Sequence, residues 1–137
     1  MEKSSVMCGS EQVTTGVQHV GIPTNDIEAT IAFYEKLGFV QKLRTVNEKA
    51  GEQVCFLQLK NVCIETYQNH RAAMACGAID HLALDVTDIE KAFACVSETG
   101  IKMLDTEIQF LPFWEKGVRF FTVEGPNREK IEFSQIL

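Results

Sequence analysis

Two histidines and two glutamates are the side chains with the strongest claim to chemistry in this 137-residue chain. His19 stands in Val17-Gln18-His19-Val20-Gly21-Ile22, and His81 stands 62 residues later in Ile79-Asp80-His81-Leu82-Ala83-Leu84. Glu65 and Glu132, 67 residues apart, stand in Cys63-Ile64-Glu65-Thr66 and Ile131-Glu132-Phe133. Two imidazoles and two carboxylates form a mixed nitrogen and oxygen set without a thiolate. Such a set suits an octahedral divalent ion such as Ni²⁺, Co²⁺, Mn²⁺ or Zn²⁺, with solvent in the remaining positions. A closed structural zinc site would more typically use cysteines. Open positions let a metal polarise a substrate oxygen, and a glutamate that loosens serves as a proton carrier.

The elements that must position these groups are themselves repeated. With His19 laid over His81, residues 17–40 align with 79–102, and six of 24 positions are identical. Five of those identities fall at the strand centre (His19/His81), at the helix start (Asp26-Ile27-Glu28 over Asp88-Ile89-Glu90) and at the helix stop (Gly38 over Gly100), and the sixth is Ala32 over Ala94. Asn25-Asp26-Ile27-Glu28 predicts a capping box with Asn25 as cap and Glu28 three residues on. Ile27, Ile31, Tyr34 and Leu37 form an apolar stripe at helical spacing, and Gly38 suits the left-handed position after the helix. Thr87 to Glu90 start the second helix, Ile89, Phe93 and Val96 form its stripe, and Gly100 ends it.

Strand-like runs follow each helix: 39–46, 53–59 and 62–67 in the first half, and 101–107, 118–123 and 130–135 in the second. Lys60-Asn61 and Glu124-Gly125-Pro126-Asn127 supply turns. The expected order is therefore βαβββ, twice, an α+β fold. A first module spans about 16–68, a linker 69–78 and a second module about 79–137, forming one domain behind an N-terminal tail at 1–15 that is loose or adds one strand.

Alternation along a strand assigns faces. Val20 and Ile22 share one face, and His19 points the other way. Leu82, Leu84 and Val86 are likewise opposite His81. Ile64 is opposite Glu65, and Ile131 and Phe133 are opposite Glu132. With the aliphatic faces under the helices, each module turns one histidine and one glutamate outward. A lone histidine in a strand is ordinarily core or surface; its repetition points instead to a shared site. His70 has no counterpart and reads as a surface residue, and solvation at the strand edge accounts for Asp85.

The bulk properties narrow the classes. At 45% hydrophobic and 23% charged residues the chain reads as an ordinary globular protein. A net charge of −6 disfavours a nucleic-acid surface and leaves no polybasic membrane patch. No apolar run approaches the roughly 18 residues of a membrane span, and the first 15 residues lack the apolar core of a signal peptide. Cys8, Cys55, Cys63, Cys76 and Cys95 are scattered and form no CxxC, so reduced thiols in a cytoplasmic protein are expected. Phe110 to Gly117 read as an aromatic loop: a hydrophobic plug or dimer contact, or a lid over an apolar part of a substrate. Arg44, Lys116 and Arg119 are the candidate cations for an acidic substrate.

At these residues the chain resembles the vicinal oxygen chelate superfamily: glyoxalase I, methylmalonyl-CoA epimerase, bleomycin- and fosfomycin-resistance proteins and ring-cleaving dioxygenases. The resemblance covers about residues 16–136. "HVGIPTNDIEATIAFYEKLGF" matches the family's opening, with a metal-ligand histidine at His19. "GAIDHLALDV" matches the segment of the second histidine, His81. "EGPNREKIEFSQ" resembles the DP-x-G-x-x-IE ending, whose glutamate falls on Glu132; Gly125 replaces the usual aspartate and Arg128 the usual glycine. "VCIETYQ" resembles the glyoxalase I segment that supplies the fourth ligand, here Glu65. The complete set His19, Glu65, His81 and Glu132 is most similar to glyoxalase I-like proteins.

The resemblance implies two βαβββ modules in a U-shaped mixed sheet around one divalent metal, and a homodimer that shares its site within or between chains. It implies a lactoylglutathione lyase-like metalloenzyme that isomerises the hemithioacetal of a 2-oxoaldehyde such as methylglyoxal and a thiol through an enediolate, with Glu132 as the main base and Glu65 its counterpart. The alternatives are a coenzyme A thioester epimerase, another enediolate isomerase, or a non-catalytic resistance-type binding protein.

Overall fold

Repetition in the sequence becomes repetition in space. The computed structural model describes residues 7, 8 and 11–137. Two short strands, β1 (Met7–Cys8) and β2 (Glu11–Gln12), pair antiparallel at the N-terminus. The first module comprises β3 (Val20–Thr24), α1 (Ile27–Lys36), β4 (Val40–Asn47), β5 (Glu52–Leu59) and β6 (Val62–Gln68). The second comprises β7 (His81–Asp85), α2 (Ile89–Ser97), β8 (Lys102–Met103), β9 (Gln109–Leu111), β10 (Val118–Glu124) and β11 (Lys130–Ile136).

Each module builds its own mixed sheet in the same order: β3-β6-β5-β4 in the first and β7-β11-β10-β8 in the second, with β9 also on β10. In both, the first strand lies parallel beside the last, and the remaining pairs are antiparallel. The helix is the crossover that a parallel neighbour requires.

The predicted faces hold. Ile64, Ile131 and Phe133 are buried under the helices, in one cluster with Ile27, Ile31 and Tyr34 of α1 and Ile89 of α2. A single apolar cluster runs through both modules, joining Ile31, Phe39 and Leu57 of the first to Ile89, Phe121 and Val123 of the second. The modules are also joined by polar contacts. Tyr34 Oη donates to Glu129 Oε2 at 2.9 Å, and Asn127 Nδ2 donates to Thr30 Oγ1 at 3.0 Å.

The helix starts differ by one residue from the expected capping box. Asp26 and Asp88 are the caps, and their carboxylates accept from the backbone N–H of Ala29 and Lys91. Asn25 instead accepts from the Ala72 N–H of the linker. Glu28 is drawn sideways to Arg44, Oε2 to Nη2 at 2.8 Å, and Glu90 to Arg119 in the same way. The first N–H of each helix is taken by the last module strand: Gln68 Oε1 accepts from Ile27 and Gln135 Oε1 from Ile89, both at 2.8 Å. Gly38, at φ 102°, closes α1 in the left-handed region, with the Phe39 N–H returning to the Tyr34 carbonyl.

The strand expected over 101–107 is cut to Lys102–Met103. Asp105 ends it: its carboxylate accepts from the Thr122 N–H at 2.9 Å, while the Leu104 and Asp105 N–H groups both reach the Thr122 carbonyl. A side chain thus replaces the ladder. The aromatic segment is only partly a loop, because Gln109–Leu111 pair with β10. At the other rim, β4 is the outer strand of its sheet, fully exposed along its eight residues and bulged between Gln41 and Leu43. Among the described residues no helix is long and apolar enough to cross a membrane.

Candidate metal site in two halves

The four proposed ligands arrive at matched places in the two sheets. His19 lies one residue before β3 and His81 is the first residue of β7. Glu65 is paired across the parallel ladder with Gly21, and Glu132 with Ala83, each two residues beyond its histidine. Residues paired in a parallel ladder share a face, and so do residues two apart on one strand. Each histidine therefore stands over its glutamate on the face turned away from the helices. His19 Nε2 lies 3.3 Å from Glu65 Oε1, and His81 Nε2 lies 3.4 Å from Glu132 Oε1.

The other ring nitrogen is also held. His19 Nδ1 lies 3.0 Å from Gln18 Oε1, and His81 Nδ1 lies 2.9 Å from Asp80 Oδ2. An amide oxygen and a carboxylate only accept, so Nδ1 carries a hydrogen in each ring and Nε2 is the nitrogen turned to the glutamate. In the neutral ring with its hydrogen on Nδ1, the Nε2 lone pair faces a carboxylate, and a proton or a metal cation between them satisfies both. Two neighbouring ligands on a metal with bonds of about 2.1 Å lie about 3 Å apart, and both pairs come close to this separation. The donor chemistry of each pair therefore fits a divalent metal.

One chain does not bring the two pairs together. Among the described residues no group of three or more His, Cys, Asp or Glu side chains is near enough to share an ion. His19 and Glu65 line a groove of about 390 Å³ with Gly21, Asn47, Glu52, Val54 and Tyr67. His81 and Glu132 line a separate groove of about 310 Å³ with Leu104, Asp105, Phe120, Thr122 and the Asp80–Lys130 pair. A further cleft of about 420 Å³, between the β5–β6 turn and β7, contains none of the four ligands.

The surroundings of the halves differ. The edge of the His19 ring meets Phe56 with centroids 5.5 Å apart. Beside His81, the hydrogen bond from the imidazole, and then that from Lys130, hold the Asp80 carboxyl below the usual carboxylate range. Burial, and then Glu65, push the Cys63 thiol up.

Arg44 and Arg119, the candidate substrate cations, are turned to the helix side by Glu28 and Glu90. Lys116 stays in the loop after β9, where Phe113 and Trp114 are exposed, as is Phe110 on β9 itself. Sequence reasoning missed Gln18 and Asp80, although both immediately precede a repeated histidine. It also missed Gln68 and Gln135, which repeat at the spacing of the two glutamates.

Two modules on a βαβββ plan, the second with β9 added, each turn a His–Glu pair to the open side of the sheet and define an α+β protein of the vicinal oxygen chelate fold. The chain belongs to the Glyoxalase/Bleomycin resistance protein/Dioxygenase superfamily, whose family model matches residues 18–121. It is similar to YwbC, an uncharacterized protein of Bacillus subtilis, with 35% identity over 124 residues, covering 87% of this chain and 96% of YwbC. Among solved structures it superposes on a glyoxalase family protein from Enterococcus faecalis with a TM-score of 0.73 and 24% identity, covering 87% of this chain and 96% of that one. The fosfomycin resistance protein FosX of Listeria monocytogenes, in complex with Mn(II) and sulfate, gives a TM-score of 0.71 and 11% identity over 91% of this chain and 95% of that one. At these identities the two structures share the fold.

Proposed function

We propose that this protein is a divalent-metal isomerase of the glyoxalase I kind, acting on the hemithioacetal of a 2-oxoaldehyde such as methylglyoxal and a thiol. One observation carries the reading: both modules repeat a His–Glu pair with Nε2 and Oε1 3.3 and 3.4 Å apart, giving four ligands of which two come from each module. Because the pairs stand apart in one chain, a homodimer completes the site, with His19 and Glu65 of one chain facing the partner's His81 and Glu132. The exposed apolar side chains of Leu43 on β4 and Leu111 and Ile136 on the second sheet suit such a covered face.

His19, Glu65, His81 and Glu132 would hold a divalent ion, whose positive charge would favour the negative charge that develops on a substrate oxygen. The chain's own residues do the proton work. Glu132, the less exposed of the two carboxylates, takes the proton from the carbon bearing sulfur and returns it to the neighbouring carbon. The hemithioacetal thereby becomes a 2-hydroxy thioester with no net gain or loss of atoms. Glu65 holds the equivalent place on the other side. The imidazoles, fixed at Nδ1, keep Nε2 aimed at the shared point.

The test is elemental analysis of the purified dimer followed by assay of methylglyoxal–thiol adducts. About one metal per site, and thioester formation that disappears on chelation and returns with Ni²⁺, Co²⁺, Mn²⁺ or Zn²⁺, is expected. Less than about a tenth of an equivalent, with no gain on adding metal, overturns the catalytic reading in favour of a binding protein. Turnover of a methylmalonyl-type thioester in place of the adduct reassigns the proton transfer to an epimerase.

A further inference from the structure

We infer that Asp80 is a positioning residue that makes the His81–Glu132 pair the stronger half of the metal site, so that the ion loads on this half first and His19–Glu65 closes on it. The inference rests on the metal reading above and concerns the groups behind the ligands.

The repeat places one side chain behind each imidazole at the same spacing, but the two are not chemically equal. Behind His19 stands the neutral amide of Gln18, 3.0 Å from Nδ1. Behind His81 stands the carboxylate of Asp80, 2.9 Å from Nδ1. A carboxylate that accepts the Nδ1 hydrogen fixes the ring and makes Nε2 a better donor to a cation; an amide oxygen fixes the ring with much less electronic effect. Asp80 is itself braced. Its second oxygen, Oδ1, lies 3.3 Å from Lys130 Nζ, and Lys130 is the residue paired with His81 across the β7–β11 ladder. Lys130, Asp80 and His81 thus form a chain from one strand to the next that ends at Nε2, facing Glu132 two residues along β11 from Lys130. Among the described residues His19 has no such chain. Its orientation comes from the Gln18 contact and from the Phe56 ring.

The test uses the full-length protein and two readouts. Titration calorimetry with Ni²⁺ is expected to show Asp80→Asn weakening binding about 10–100-fold, while Gln18→Ala weakens it less than about threefold. Gln18→Glu is expected to tighten binding, because it gives the weaker half the same carboxylate. In metal-free protein, long-range ¹H–¹⁵N spectra are expected to show the Nδ1–H tautomer for His81, and Asp80→Ala is expected to abolish that preference. Asp80→Asn binding Ni²⁺ as tightly as wild type, or Gln18→Ala losing as much as Asp80→Asn, overturns the inference. Wild-type protein that takes up no Ni²⁺ overturns the metal reading and the loading order with it. The tautomer spectra then decide the positioning role alone, which a His81 spectrum unchanged in Asp80→Ala rejects.

Discussion

Tyr34 and Glu129 lie 95 residues apart in the chain and meet where one module's helix touches the other's hairpin, with Oη donating to Oε2 at 2.9 Å. Burial, then the charge of Glu129 and its hydrogen bond, push the Tyr34 phenol well above its ordinary value. The folded state therefore favours the neutral phenol. Its contribution is complete below the unfolded value of about 10 and is lost as pH rises above that toward the higher folded value. Tyr34→Phe is expected to cost about 2 kcal/mol at neutral pH. It should also remove this group's part of the alkaline fall in stability. Urea unfolding from about pH 8 to about pH 11 checks both.

Glu132→Gln keeps the side chain's shape and removes its charge. Turnover of the methylglyoxal–thiol adduct should fall about 10²–10⁴-fold with the fold unchanged. Steady-state kinetics beside circular dichroism separate the two effects, and undiminished turnover removes Glu132 as the base.

Arg128 occupies the hairpin position where the resemblance has glycine, and its φ is 63°. An L side chain in the left-handed region costs roughly 1–2 kcal/mol, and glycine returns part of that through the unfolded chain. Arg128→Gly should therefore leave stability unchanged or raise it by about 1 kcal/mol. A clear drop in the thermal midpoint would show that the exposed guanidinium makes a compensating contact.

Thr66 follows Glu65 on β6 but faces the helices, fully buried, and its Oγ1 has no hydrogen-bond partner among the described residues. Thr66→Val preserves the branched shape and removes the orphaned hydroxyl. A gain of about 1 kcal/mol in denaturant unfolding is expected, with metal binding unaltered.

The thiols should separate by environment. Cys76 and Cys95 are exposed and should react with a disulfide reagent within the native protein. Cys63 should lag, because burial and Glu65 raise its thiol. Cys55, fully buried and raised by burial, should react only on unfolding. Mass spectrometry of timed labelling gives the order. Cys8, counted with these in the sequence, lies outside the residues whose side chains are described.

The repeat, the helix stripes and the opposite facing of Ile64 and Glu65 were legible in the sequence because they depend on local periodicity. The His–Glu pairing was legible for the same reason, since both residues sit in neighbouring strands of one module. Features set by distant partners were not. Asn25 is the better-looking cap of its capping box, but the linker N–H of Ala72 takes it and leaves the role to Asp26. Arg44 and Arg119 read as candidate substrate cations, but Glu28 and Glu90 hold them from the first turns of the two helices. Asp105 ended a strand by bonding to a residue 17 positions on. That the two His–Glu pairs stand apart in one chain depends on how the modules pack, and no local pattern encodes it.

Among the described residues the outer strand β4 leaves one side of its ladder without a neighbour, and Val40, Leu43 and Val46 are exposed on it. Such a rim invites another chain to add a strand and begin aggregation. Lys42 and Arg44 place two charges in the middle of that rim, and the bulge beside Lys42 breaks its regular spacing. A strand approaching from solvent must bury one charge and match an irregular row of donors and acceptors. The irregularity at Gln41–Leu43 therefore acts as a guard on solubility, and replacing Lys42 with valine would leave a more adhesive edge on an otherwise unchanged fold.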